Sequence, residues 1–99
     1  MRIEELKTPC YVIDEKQLKK NLSILQKVEK DTGCKILLAQ KAFSCFYEYP
    51  LIGQYISGTT ASGLFEARLG KEEMGKEKHV FAPAYKEEDV KELVKICDH

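Results

Sequence analysis

The feature that most constrains this chain is an alternation. A short β-type run is followed by an amphipathic helical stripe, four times over, with no break in composition that would mark a linker. Cys10–Ile13, Lys35–Gln40, Thr59–Ala61 and His79–Ala82 read as the strands, on their β-branched and apolar residues and on the Pro and Gly that bound them. In the first helix Asp14 is placed as N-cap and Gln17 completes a capping box, with Ile13 and Leu18 spaced for a hydrophobic staple. Leu18, Leu22, Leu25 and Val28 form its apolar stripe, and Gly33 is its stop. Pro50 opens a second helix of about two turns through Leu51, Ile52, Tyr55 and Ile56. Ser62 is placed to cap a third, with Leu64, Phe65, Ala67, Arg68 and Leu69, whose end Gly70 and Gly75 bracket. Val90, Leu93, Val94 and Cys97 give the stripe of a last helix that starts near Lys86 or Glu87.

Strands separated by helices at this pitch predict a parallel sheet with crossover helices. Parallel strands are covered on both faces, which explains why Ile36 to Ala39 do not alternate with polar residues. An open doubly wound sheet and part of a (β/α)8 barrel both fit. A whole barrel takes about 200 to 250 residues, so 99 residues supply only its first portion. The chain also stops at Cys97-Asp98-His99, where another strand is due, so it reads as a fragment. The expected fold class is α/β, the N-terminal part of a (β/α)8 TIM-type barrel. Residues 1–99 then form an incomplete barrel domain, with about 1–14 as a leading strand segment and 15–99 as the first β/α units.

Composition excludes more than it identifies. A chain 43% apolar and 32% charged is globular rather than disordered. Sixteen basic residues balance sixteen acidic ones, so no global field draws nucleic acid or an anionic membrane. No stretch approaches the roughly 18 apolar residues of a membrane span, and MRIEELKTPCYVID lacks a signal-peptide profile. A cytoplasmic location is expected. Cys10, Cys34, Cys45 and Cys97 show no Cys-x-x-Cys pairing, so they read as reduced thiols; Cys97 and His99 make at most half a metal site, and no metal is expected.

The candidate for chemistry is Lys41. In either parallel architecture ligands meet the carboxyl ends of strands, and Lys41 ends the apolar run KILLAQ with Ala42 and Phe43 behind it. One reading is a strand-end lysine that snorkels to solvent. The other is an amine partly removed from water, which loses its proton more readily and can attack a carbonyl. Spacing leaves both open.

TPCYVIDE, KILLAQKAFS, GTTASGLFEARLG and HVFAPAYK, in this order, resemble the N-terminal part of the carboxynorspermidine/carboxyspermidine decarboxylases, of the alanine racemase-like, fold-type III class of pyridoxal-phosphate enzymes. The resemblance runs from about Thr8 to the last residue. It implies that Lys41 is the lysine that binds pyridoxal 5'-phosphate covalently, that Ser62 lies near the cofactor ring, and that Glu66 matches a helical glutamate of the broader decarboxylase family, near substrate or behind the site. It further implies a carboxy-lyase of polyamine and spermidine biosynthesis acting on a small polyamine precursor, as a homodimer of barrel and β-domain. Residues 1–99 alone are then expected to be inactive. The phosphate-binding segment, the acid facing the pyridine nitrogen and the catalytic cysteine lie later in such chains.

Two departures separate this chain from the ornithine and diaminopimelate decarboxylases. Thr59 stands where those commonly have an acid, and Ala82-Pro83-Ala84 replaces their alanine-asparagine-proline order. Two other readings stay open: a non-catalytic pyridoxal-phosphate-binding protein of the related single-barrel type, and a small α/β domain without cofactor.

Overall fold

The computed structural model describes residues 2–99. A single-turn 3₁₀ segment, Ile3–Glu5, precedes α1 (Glu15–Thr32). Then come β1 (Leu37–Ala39), a 3₁₀ turn (Phe46–Glu48) running into α2 (Tyr49–Ile52), β2 (Gly58–Ala61), α3 (Leu64–Glu73), β3 (Glu77–Val80) and α4 (Glu87–Ile96). The strands form one parallel sheet in the order β1-β2-β3. Leu37 aligns with Gly58 and Glu77, and Ala39 with Thr60 and His79. Three of the four strand–helix repeats read from the sequence are therefore present among the described residues.

Helix ends follow local chemistry. The Asp14 carboxylate accepts from the Gln17 N–H at 3.1 Å, which caps α1. The return half of the box does not form, because the Gln17 amide donates to Asn21 instead. Gly33 closes the helix in the left-handed conformation at φ 75°, which costs glycine nothing.

Three expectations are corrected. Cys10–Ile13 form no strand: no neighbouring strand offers them a ladder, and β propensity without a partner fixes nothing. The second helix is a 3₁₀ turn followed by four α-helical residues, because Gly53 and a series of turns carry the chain on to β2. Ser62 does not cap α3; Gly63 occupies the cap, and the Glu66 carboxylate reaches back to accept the Ser62 N–H at 3.1 Å. At the other end, the Asp98 N–H donates to the Lys78 carbonyl (2.8 Å) and the Val80 N–H to the His99 carbonyl (2.9 Å). The chain thus starts pairing with β3 where a fourth strand was due.

Two apolar clusters fix which side of the sheet the helices cover. Leu22, Ile52 and Ile56 pack with Ile36 and Leu38, and Ala61, Ala67 and Leu93 pack with Val80. Because side chains alternate along a strand, Leu37, Ala39, Thr60, Glu77 and His79 turn to the opposite, uncovered face. Principal extents of 50 × 37 × 21 Å agree with one sheet under one layer of helices. Gly70 lets α3 approach closely, since a Cβ there would stand 2.4 Å from Thr59 Oγ1. An apolar groove of about 390 Å³, lined by Val80, Tyr85, Val90, Val94 and Cys97, lies open beside α4.

Candidate active site

β1 ends in a tight turn in which the Ala39 carbonyl accepts from the Ala42 and Phe43 N–H groups, at 3.0 and 3.2 Å. This turn presents Lys41 at the carboxyl edge of the sheet. The strand ladder runs on past the last paired residues, through Gln40 N–H to Thr60 carbonyl and Phe81 N–H to Ala61 carbonyl. Carried forward two residues, the register places Lys41, Ser62 and Phe81 in one row. All three line a cavity of about 120 Å³ with Ala39, Thr60 and Ala61. Lys41 is exposed and, among the described residues, makes no ion pair.

The turn is held from behind by a pair that sequence reading missed. Tyr49 is 0% exposed and Gln40 2%. The Tyr49 hydroxyl faces the Gln40 side-chain oxygen at 3.1 Å and the Phe43 carbonyl at 3.4 Å, so its proton has acceptors on both sides of Lys41. Burial, then the nearby Glu66 carboxylate, pushes the Tyr49 phenol up, which keeps that proton on the oxygen. Glu48, also buried, has its carboxyl raised by burial and then by Glu15 beside it. The only sequence signal for the pair was a tyrosine and a glutamine in otherwise apolar surroundings, nine positions apart.

Ser62 lines the same recess as Lys41, whereas Glu66 braces the Ser62 backbone and neighbours Tyr49. For a pyridoxal group the fit is partial. A free primary amine beside a small recess walled by Ala39 and Phe81 suits the aldehyde end. A recess of about 120 Å³ is too small to enclose a whole cofactor, since ligand pockets run about 300–1,000 Å³. The N-terminus of α3 is no phosphate cradle either, because the Glu66 carboxylate already occupies it.

The same face carries a second cluster, which runs from the amino end of β3 to the row before Phe81. Lys35 Nζ meets Glu77 Oε2 at 2.7 Å, and the other Glu77 oxygen faces His79 Nε2 at 2.9 Å and His99 Nε2 at 3.3 Å. The Lys35 ammonium first, then His79, holds the Glu77 carboxyl below the usual glutamate range.

A parallel β/α ladder that presents a lysine and a serine at its carboxyl edge is the opening portion of a (β/α)8 barrel, and the solved structures agree. The crystal structure of carboxynorspermidine decarboxylase complexed with norspermidine, from Campylobacter jejuni, matches with a TM-score of 0.93 at 39% identity, over 95% of this chain and 26% of that one. The chain resembles the N-terminal portion of the carboxynorspermidine/carboxyspermidine decarboxylases. The enzyme of that name from Campylobacter jejuni subsp. jejuni serotype O:6 (strain 81116 / NCTC 11828) is 39% identical over 99 residues, the whole of this chain and 26% of the relative. That from Herminiimonas arsenicoxydans is 38% identical over 93 residues, 94% of this chain and 26% of the relative. Carboxyaminopropylagmatine decarboxylase from Synechocystis sp. (strain ATCC 27184 / PCC 6803 / Kazusa) is 37% identical over 98 residues, 99% of this chain and 25% of the relative. The chain thus spans about a quarter of the length of these relatives. No family model matches it. Among the described residues, no helix is long and apolar enough to cross a membrane.

Proposed function

We propose that this chain is the lysine-bearing part of a pyridoxal-phosphate-dependent carboxy-lyase that decarboxylates carboxynorspermidine or carboxyspermidine, in polyamine biosynthesis, as a homodimer. The observation that carries the reading is the row Lys41–Ser62–Phe81 at the carboxyl edge of a sheet like that of the Campylobacter jejuni decarboxylase. When bound, the cofactor draws electrons away from the substrate's α-carbon as carbon dioxide leaves.

The residues of this chain supply attachment and position. Lys41 offers, at this exposed edge, the amine that holds the cofactor's aldehyde end. Ala39 and Phe81 give the recess apolar walls, and the Ser62 hydroxyl supplies a polar partner at its rim. Tyr49 and Gln40 hold the turn so that the Lys41 backbone keeps one place. The phosphate contacts belong to residues outside 1–99.

Borohydride reduction in the presence of pyridoxal phosphate is expected to label Lys41, located by peptide mapping; a label on another lysine would overturn the assignment. Substrate choice is read from kcat/KM. Carboxynorspermidine and carboxyspermidine should exceed ornithine, lysine and diaminopimelate, and a preference for any of those three would refute the substrate class. The similar identity of the carboxyaminopropylagmatine enzyme makes its substrate the closest competitor in that assay.

A further inference from the structure

We propose that Glu77, His79 and His99 form a three-ligand site for a divalent transition metal of the zinc type, on the uncovered face of the sheet and distinct from the recess beside Lys41. Two imidazole nitrogens and one carboxylate oxygen are the donor set that zinc, cobalt and nickel ions take from proteins. Here these atoms all lie within 4.8 Å of one another. Glu77 Oε1 stands 2.9 Å from His79 Nε2 and 3.3 Å from His99 Nε2. Ligand atoms bound at about 2.0–2.2 Å around one tetrahedral zinc are themselves about 3.3–3.5 Å apart. An ion would therefore need shifts of only a few tenths of an ångström on these two edges. The imidazole rings, with centroids 4.6 Å apart and planes tilted by 38°, bring the same nitrogen to one oxygen without stacking flat.

Two further features suit a site. Lys35 binds the other Glu77 oxygen at 2.7 Å, which turns Oε1 inward as an outer partner of a ligating carboxylate does. His99 and Glu77 also line an open polar cleft of about 430 Å³, which gives an ion a way in. The cleft holds Lys35, Lys76 and Lys78 against Glu77 and Asp98, so its surroundings oppose a dication. Each ammonium is engaged: Lys35 on Glu77, Lys78 on Asp98, and Lys76 on the Gly53 and Ile56 carbonyls. Affinity should accordingly be micromolar rather than nanomolar, and should improve as added salt screens the lysines.

The role of such an ion is to join strands. His79 belongs to β3, and His99 to the segment that pairs with it through Lys78 and Val80. A shared metal locks that pairing in register.

The test is titration of the purified, reduced protein with zinc chloride by calorimetry, and with cobalt(II) by visible absorption. One equivalent should bind at micromolar concentration. His99→Gln and His79→Gln should each weaken binding about tenfold or more, while replacement of all four cysteines by serine leaves it unchanged. His99 is exposed, so His99→Gln decides the matter even if the His79 variant unfolds. Absence of saturable binding up to millimolar zinc would overturn the proposal and leave a hydrogen-bonded cluster. Binding that survives both histidine changes but is lost with the thiols would overturn it too. Labelling of Lys41 by pyridoxal phosphate should be the same in His99→Gln, so the two sites are judged separately.

Discussion

The two mouths of one sheet are built on opposite principles. Toward the amino ends Lys35 and Glu77 pair, with His79 and His99 on the same carboxylate, and that acid is held ionised. At the carboxyl ends Lys41 has no ionic partner among the described residues, and a buried acid in the segment that follows it, Glu48, is pushed toward its neutral form by burial and then by Glu15. Charges that neutralise each other lose reactivity and gain structure, whereas an unpaired amine beside apolar walls is free to react. Stability and chemistry are thus divided between neighbouring rows of one sheet face, with His79 one row before Phe81.

The sharpest break of this contrast is Lys41→Arg. It keeps the charge but removes the nucleophile, so pyridoxal-phosphate labelling should vanish and decarboxylation should fall roughly 10²–10⁴-fold, the range for a positioned catalytic group. Its thermal midpoint should match the parent, and a clear drop in that midpoint would show that the carboxyl edge is structural as well. Next in size is Gly58→Ala, where the new Cβ would stand 1.9 Å from the Glu77 carbonyl oxygen. Overpacking against backbone should cost about 3 kcal/mol in urea unfolding, at the upper end for such changes; a loss under about 1 kcal/mol would mean that the strands can part there.

Tyr49→Phe should cost about 1–3 kcal/mol, because it strands the buried Gln40 oxygen, and should slow the labelling of Lys41. Unchanged labelling kinetics would confine the pair to a structural role. The smallest effect is expected of Glu48→Gln. Its folded pKa is raised, so the native state binds its proton more tightly than the unfolded chain does. Stability from this source is fully present below the unfolded value of about 4.3 and is lost as pH rises through the folded one. Melts at pH 4 and pH 8 should show the variant gaining on the parent only at the higher pH. Equal melts at both would place Glu48 in contact with water.

The strand-end place of Lys41 was legible because an apolar run that ends in an ammonium stands out locally. The α1 cap and stop and the start of α4 were legible for the same reason, since each depends on residues within one or two turns. Cys10–Ile13 misled because a strand is a property of two segments, and the propensity of one says nothing of its partner. Ser62 misled because a serine before a helix suggests a cap, while Glu66, three residues into the helix, competes for the same backbone. Tyr49 with Gln40, and His79 with His99, were missed as pairs. Nine and twenty residues of chain separate them; the path from β1 into α2 brings the first pair together, and the pairing of Asp98 and His99 with β3 the second.

Gly58 has a consequence for that register. It stands where β2 and the Glu77 carbonyl come so close that no side chain fits. A slip by two residues keeps every side chain on its own face, so hydrophobic burial alone would tolerate it. Such a slip would bring Ile56 or Thr60 to that place, and neither can enter. The glycine therefore works as an indexing pin: the one tooth gap that admits a single engagement. Which hydroxyl and which aromatic ring become neighbours of Lys41 is decided at the far end of the strands, by an atom that is not there.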